Sequence, residues 1–165
     1  MHTKSSCMKE LAIKYSRYKD TRRLSEAQRA LLAEARKALR KSYSPYSGFK
    51  VGAAVELANG KVLSGANFEN ASYPLCLCAE RVALAAAAAQ YPGVPVVRMA
   101  LTVSGGSKAQ TQPVAPCGAC RQVILEVQYK QKQPMELILR GEKGEILVIP
   151  NGGDLLPFGF SGDFL

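Results

Sequence analysis

The chain has 165 residues, 47% of them apolar and 21% charged, with 22 Lys and Arg against 13 Asp and Glu for a formal net charge of +9. That size and balance point to one globular domain with an ordinary core and exclude a wholly disordered chain. The charge is lopsided: residues 1–41 hold 12 basic residues against four acids, whereas residues 42–165 hold 10 against nine.

Residues 1–24 show no clean hydrophobic period and read as a basic, flexible N-terminal arm, with residues 25–165 as a single domain. Such an arm is ordinarily solvated; electrostatic docking to nucleic acid or acidic lipid is the alternative. Ser25 and Gln28 form a capping-box pattern, and Leu31, Leu32, Ala35, Ala38 and Leu39 recur at helical spacing, which predicts a helix over 26–41. Strands are predicted over 51–57 and 61–66, joined at Asn59-Gly60, a dipeptide suited to a hairpin turn with both central residues at positive φ. A loop follows, then an Ala- and Leu-rich helix over 78–90 that ends at Tyr91-Pro92-Gly93. Residues 96–103 read as a buried central strand, 104–115 as a Gly, Ser, Gln and Pro-rich loop, and 117–129 as another helix. Two strands over 135–140 and 145–149 flank a Gly141–Gly144 turn, before an aromatic tail. Five strands with interleaved helices predict an α/β sheet covered on both faces.

No stretch is apolar for long enough to span a bilayer, so no membrane partner is expected. The N-terminus lacks the apolar run of a secretion signal, although its basic, Ser- and Thr-containing composition leaves an organelle-transit reading open. Five cysteines without an export signal suggest thiolates used for metal or chemistry, and a cytosolic protein is expected.

Two segments carry the chemistry: Cys78-Ala79-Glu80 and Pro116-Cys117-Gly118-Ala119-Cys120, each at a predicted helix N-terminus. Free backbone N–H groups and the positive end of the helix dipole favour thiolate there. Three thiolates on two neighbouring helix starts suit a tetrahedral Zn²⁺ with its fourth position left for water, whose pKa the metal lowers. Glu80, two residues after Cys78, is placed to shuttle a proton without ligating the metal. Three thiolates and Zn²⁺ sum to a negative centre, so Arg81 and Arg121, which follow the two motifs, are expected to donate to the cysteine sulfurs and offset that charge. A closed four-cysteine structural zinc site that adds Cys76 is the competing arrangement. Cys7, in the arm, is expected to be an unligated thiol.

A non-ligand Glu beside the first ligand, followed by a P-C-x-x-C segment, marks the zinc deaminases. From about Leu24 to Leu165 the chain closely resembles cytidine deaminase of the small, homotetrameric, nucleoside-acting type. The resemblance rests on Tyr46-Ser47-Gly48-Phe49-Lys50-Val51-Gly52-Ala53-Ala54, Asn67-Phe68-Glu69-Asn70-Ala71, both cysteine motifs and Leu155-Leu156-Pro157. It implies a three-layer α/β/α sandwich around a mixed five-stranded sheet, with one Zn²⁺ per subunit on Cys78, Cys117 and Cys120 and Glu80 as the catalytic proton shuttle. It further implies that Asn67 and Glu69 bind the ribose hydroxyl, that Phe49 packs on the nucleoside, and that the Ala79 backbone contacts the pyrimidine. Phe160 is implied to stack on the base in a neighbouring subunit's site, with Phe158 as the other candidate for that role. The implied reaction converts cytidine and 2′-deoxycytidine to uridine and 2′-deoxyuridine with release of ammonia, in pyrimidine salvage.

Small deaminases of nucleoside-like antibiotics share both cysteine motifs and compete for substrate identity. A polynucleotide substrate, or a non-catalytic nucleic-acid-binding module with structural zinc, has only the basic arm in its favour. Editing deaminases commonly use His as first ligand, and the single His of this chain is His2. Nucleic acid is therefore not an expected partner.

Overall fold

The computed structural model describes residues 7–165. Six strands form one mixed sheet: β1 (Ser16–Tyr18), β2 (Phe49–Leu57), β3 (Val62–Ala66), β4 (Val96–Gly105), β5 (Glu136–Arg140) and β6 (Ile146–Ile149). Their spatial order is β1-β6-β5-β4-β2-β3, in which β4 and β5 are parallel and every other neighbouring pair is antiparallel. Helix α1 (Glu26–Ala38) covers one face, and α2 (Ala79–Gln90) and α3 (Gly118–Gln131) cover the other.

The layers follow from strand alternation, since successive side chains leave a strand on opposite faces. Ala53, Val55, Met99, Leu101, Leu137 and Leu139 pack with Ala83, Leu84 and Ile124 of α2 and α3. The residues between them, Ala54, Ala100 and Ile138, pack with Leu31, Leu32 and Ala35 of α1. The central strands are apolar on both faces because helices cover both, as the three-layer reading requires. The Ser25–Gln28 capping box closes the start of α1, with Gln28 N donating to Ser25 Oγ and Ser25 N to Gln28 Oε1.

Three expectations are corrected. The sheet has six strands rather than five, because Ser16–Tyr18 of the expected flexible arm pairs antiparallel with Ile146–Val148. Leu24 is buried in the α1-side core, and a short 3₁₀ turn (Thr21–Arg23) links it to the strand, so residues 16–24 are part of the folded body. Three residues of backbone pairing with one buried leucine leave no hydrophobic period to read, which is why the sequence pattern misses them. The β2–β3 connection also differs: only Gly60 takes positive φ (+78°), Gly60 N donates to Leu57 O, and Leu57 N donates to Lys61 O. This is a three-residue loop with a left-handed glycine rather than a two-residue turn with both residues left-handed.

Candidate metal centre and active site

Helices α2 and α3 begin side by side, with Cys78 and Cys117 as their N-cap residues and Cys120 in the first turn of α3. The three Sγ atoms all lie within 4.8 Å of one another. Cys78 and Cys117 are separated by 3.9 Å, and Cys117 and Cys120 by 3.5 Å. Sulfurs about 2.3 Å from a tetrahedral Zn²⁺ stand roughly 3.8 Å apart, so the donor set fits that ion by both spacing and softness. The Cys78 thiol is pulled down to about 5, chiefly by hydrogen bonding from Cys120, with burial opposing and with Cys117 and the Arg81 charge assisting. Hydrogen bonding to Cys78, together with burial, pushes Cys120 upward.

Cys76 is turned away from this cluster. Its Sγ accepts from Asn70 N at 3.3 Å and donates to Asn70 O, which fixes the preceding loop. Among the described residues the metal-competent group is therefore three cysteines, and a four-cysteine closed site is not formed.

The two expected arginines divide: both guanidinium groups bond backbone carbonyls, and only Arg81 also acts on a cysteine sulfur. Arg81 Nη2 donates to Cys76 O at 2.7 Å, its buried Nε has no partner among the described residues, and the guanidinium favours the Cys78 thiolate first by its charge and then by side-chain hydrogen bonding. Arg121 instead ties the start of α3 to its surroundings, donating to Pro116 O at 2.8 Å and to Leu155 O at 3.1 Å.

Glu80 lies one residue inside α2 and is only 4% exposed. Burial raises its carboxyl above the ordinary value, and the Cys78 charge adds to the rise. Glu80 opens with Cys78 and Cys117 onto a cleft of about 290 Å³, whose walls include Phe49, Phe68, Leu77, Val114 and Ala115 and whose rim carries Asn67 and Glu69.

The Asn67–Glu69 segment is held by backbone pairing on both sides. Tyr43 N donates to Asn67 O and Glu69 N to Tyr43 O, while Phe68 and Leu77 exchange bonds in both directions at 2.9 Å. Leu77 directly precedes Cys78, so the same bridge sets the distance from the segment to the metal ligands. Asn67 Oδ1 accepts from Ser42 Oγ and Val51 N, and Nδ2 donates to Phe49 O. Among the described residues one amide hydrogen remains uncommitted. Glu69 accepts from Tyr46 N at 2.9 Å and from the Ser47 N–H and hydroxyl. The Ser47 hydroxyl, above all, lowers its carboxyl below the ordinary range, which favours the carboxylate form.

The other expected residues fall outside the cleft walls. Ala79 is the buried first residue of α2. Phe160 is 57% exposed and stacks on Phe164 at 5.6 Å, with its carbonyl held by Gln122. Phe158 is 97% exposed at a positive φ of 56°. Sequence reasoning missed Phe68, Leu77, Val114 and Ala115 as cleft walls, and Ser47 as the partner of Glu69. These are single residues in irregular segments, where no period marks which side chains converge.

A family model described as the cytidine and deoxycytidylate deaminase zinc-binding region matches residues 25–133. The chain is 41% identical over 133 residues to a cytidine deaminase of Halalkalibacterium halodurans, covering 81% of this chain and 93% of that protein. It is 40% identical over 136 residues to a cytidine deaminase of Sporosarcina psychrophila, covering 82% and 92%. The crystal structure of cytidine deaminase from Burkholderia pseudomallei superposes with a TM-score of 0.69 at 46% identity, covering 80% of this chain and 98% of that one.

Proposed function

Because the chain belongs to the cytidine and deoxycytidylate deaminase family, we propose that it converts the free nucleosides cytidine and 2′-deoxycytidine to uridine and 2′-deoxyuridine, releasing ammonia, as a cytoplasmic enzyme of pyrimidine salvage. That it is a zinc-dependent enzyme acting on a cytidine-like substrate follows from the family and the three-cysteine centre.

The observation that carries the choice of nucleoside is the polarity of the cleft. Its walls are mostly apolar, no Lys or Arg lines it among the described residues, and the Glu69 carboxylate is part of its lining. A 5′-phosphate would meet repulsion from Glu69 and find no cation, whereas ribose hydroxyls can donate to the carboxylate and accept from the free Asn67 amide hydrogen.

Bound to Cys78, Cys117 and Cys120, Zn²⁺ supplies a Lewis acid that makes the attacking water readily deprotonated near neutral pH. Glu80 accepts that proton and passes it to N3 of the pyrimidine as oxygen adds to C4. It then carries the second water proton to the exocyclic nitrogen, so the C4–N bond breaks and ammonia leaves behind a C4 carbonyl. Its buried position favours this work, because a carboxyl with raised affinity for a proton is the better acid in the return step. Phe49 provides an apolar wall for the nucleoside, and the Ala79 backbone contacts the base.

Phe160, exposed and outside its own cleft, stacks on the base in a neighbouring subunit of a homotetramer. Phe158, Phe164 and Leu165 lie exposed near it in the tail, which supports a subunit interface there. The test is turnover of cytidine, 2′-deoxycytidine and deoxycytidine 5′-monophosphate by zinc-loaded protein beside Glu80→Gln, with the mass of the assembly measured by light scattering. The nucleosides should turn over, the monophosphate should be refused, and Glu80→Gln should retain zinc while losing about 10²- to 10⁴-fold in rate. Nucleosides left intact would overturn the substrate, an active Glu80→Gln the proton shuttle, and a fully active monomer the shared site.

A further inference from the structure

On the face of the sheet opposite the metal centre, three arginines converge on a second cavity. Arg29 and Arg36 stand two turns apart along α1, and Arg140 ends β5; together with Thr21, Thr102 and Glu142 they line a depression of about 200 Å³. Among the described residues none of the three guanidinium groups forms an ion pair. Arg29 donates to the Leu24 carbonyl, Glu142 is the one acid among the described lining residues, and against it the three arginines leave an excess of two positive charges. The Nε of Arg140 is fully buried and has no hydrogen-bond partner among the described residues. Burial and the nearby Arg36 charge both weaken its hold on its proton.

This arrangement is costly for a bare protein. A buried donor without an acceptor loses hydration, and like charges facing one cavity repel. A bound anion relieves both. Guanidinium groups present planar forks of donors that match phosphate oxygens, and the cavity lies near the carboxyl ends of the parallel pair β4 and β5, where open α/β sheets commonly bind ligands.

We propose that Arg29, Arg36 and Arg140 form a binding site for a phosphate group, either free phosphate or the phosphate of a small organic ester. The site is separate from the catalytic cleft. Leu101 of β4 lines the cleft, while the next residue, Thr102, faces the arginines on the opposite face with its hydroxyl bonded to Gly141 O. A depression that converges three guanidinium groups around one buried donor suits a single phosphate better than an extended polynucleotide backbone, which needs a row of cations.

The test is calorimetric titration of the zinc-loaded full chain, in chloride buffer, with inorganic phosphate and with glycerol 3-phosphate. Wild type, Arg36→Gln and Arg140→Gln are compared. Saturable binding is expected, weakened at least about tenfold in each variant by loss of charge-assisted hydrogen bonds. Tighter binding of the ester would identify an organic phosphate, and equal binding free phosphate. If Arg140→Gln fails to fold, Arg36→Gln, whose side chain is on the helix surface, decides. Absence of binding to wild type, or unchanged affinity in folded Arg36→Gln, would overturn the proposal. So would binding of a single-stranded oligonucleotide by a protein that ignores both phosphates.

Discussion

Two carboxylates share the cleft and are driven in opposite directions: burial raises Glu80, and the Ser47 hydroxyl lowers Glu69. One is suited to carry protons and the other to stay charged beside polar hydroxyls, so environment rather than residue type assigns the roles. The two arginines after the cysteine motifs diverge in the same way. Arg81 stands close enough to act on the Cys78 thiolate by charge, whereas Arg121 is spent on two carbonyls. Arg81→Ala is expected to lose zinc to a chelator with an affinity reduced about 10- to 100-fold. Arg121→Ala should keep its zinc and instead unfold at lower temperature, because the link between α3 and Leu155 is gone. Chelator competition and thermal denaturation on both variants check the pair. These partners were not legible in the sequence, since adjacency to a ligand does not say where a long side chain turns.

The elements themselves were largely legible. Helices α2 and α3 start where their motifs predicted, and the five longer strands fall within about two residues of the expected spans because apolar alternation and Gly or Pro punctuation mark them. What the pattern does not show is how closely β3 approaches α2. A Cβ on Gly65 would stand 2.6 Å from both Ala79 O and Ala83 N, so only glycine permits the first turn of α2 to rest on the strand. Backbone cannot yield as a flexible side-chain tip does. Gly65→Ala is expected to cost about 1–3 kcal/mol of stability by overpacking and to displace Cys78 and Glu80 together. Chemical denaturation and zinc stoichiometry would detect both effects, and an unchanged variant would mean that α2 does not rest on this contact.

At the scale of the whole molecule, the charge excess of residues 1–41 divides between structures with different tasks. Part of it lies on β1 and the 3₁₀ turn that closes the sheet edge, and part on α1, where Arg29 and Arg36 face the second cavity. Removing residues 1–15 should leave the thermal transition nearly unchanged. Removing residues 1–24 should lower it clearly, since the edge of β6 is uncovered and burial of Leu24, about 1.5–3 kcal/mol for a full leucine side chain, is lost. Calorimetry on the two truncations separates an appended arm from a structural one; equal transitions would show that β1 adds nothing. The sequence by itself determined the fold class and the three-cysteine metal group and marked Glu80 as the proposed proton carrier, because each is a local pattern: periodicity, a helix start, a short spacing. Only the tertiary structure decided that Cys76 stands outside the metal-competent cysteine group, that Ser47 hydrogen-bonds Glu69, that the arm supplies a sixth strand, and that three arginines distant in sequence meet. Those outcomes depend on which surfaces touch after the layers have packed, and a linear spacing carries no record of that.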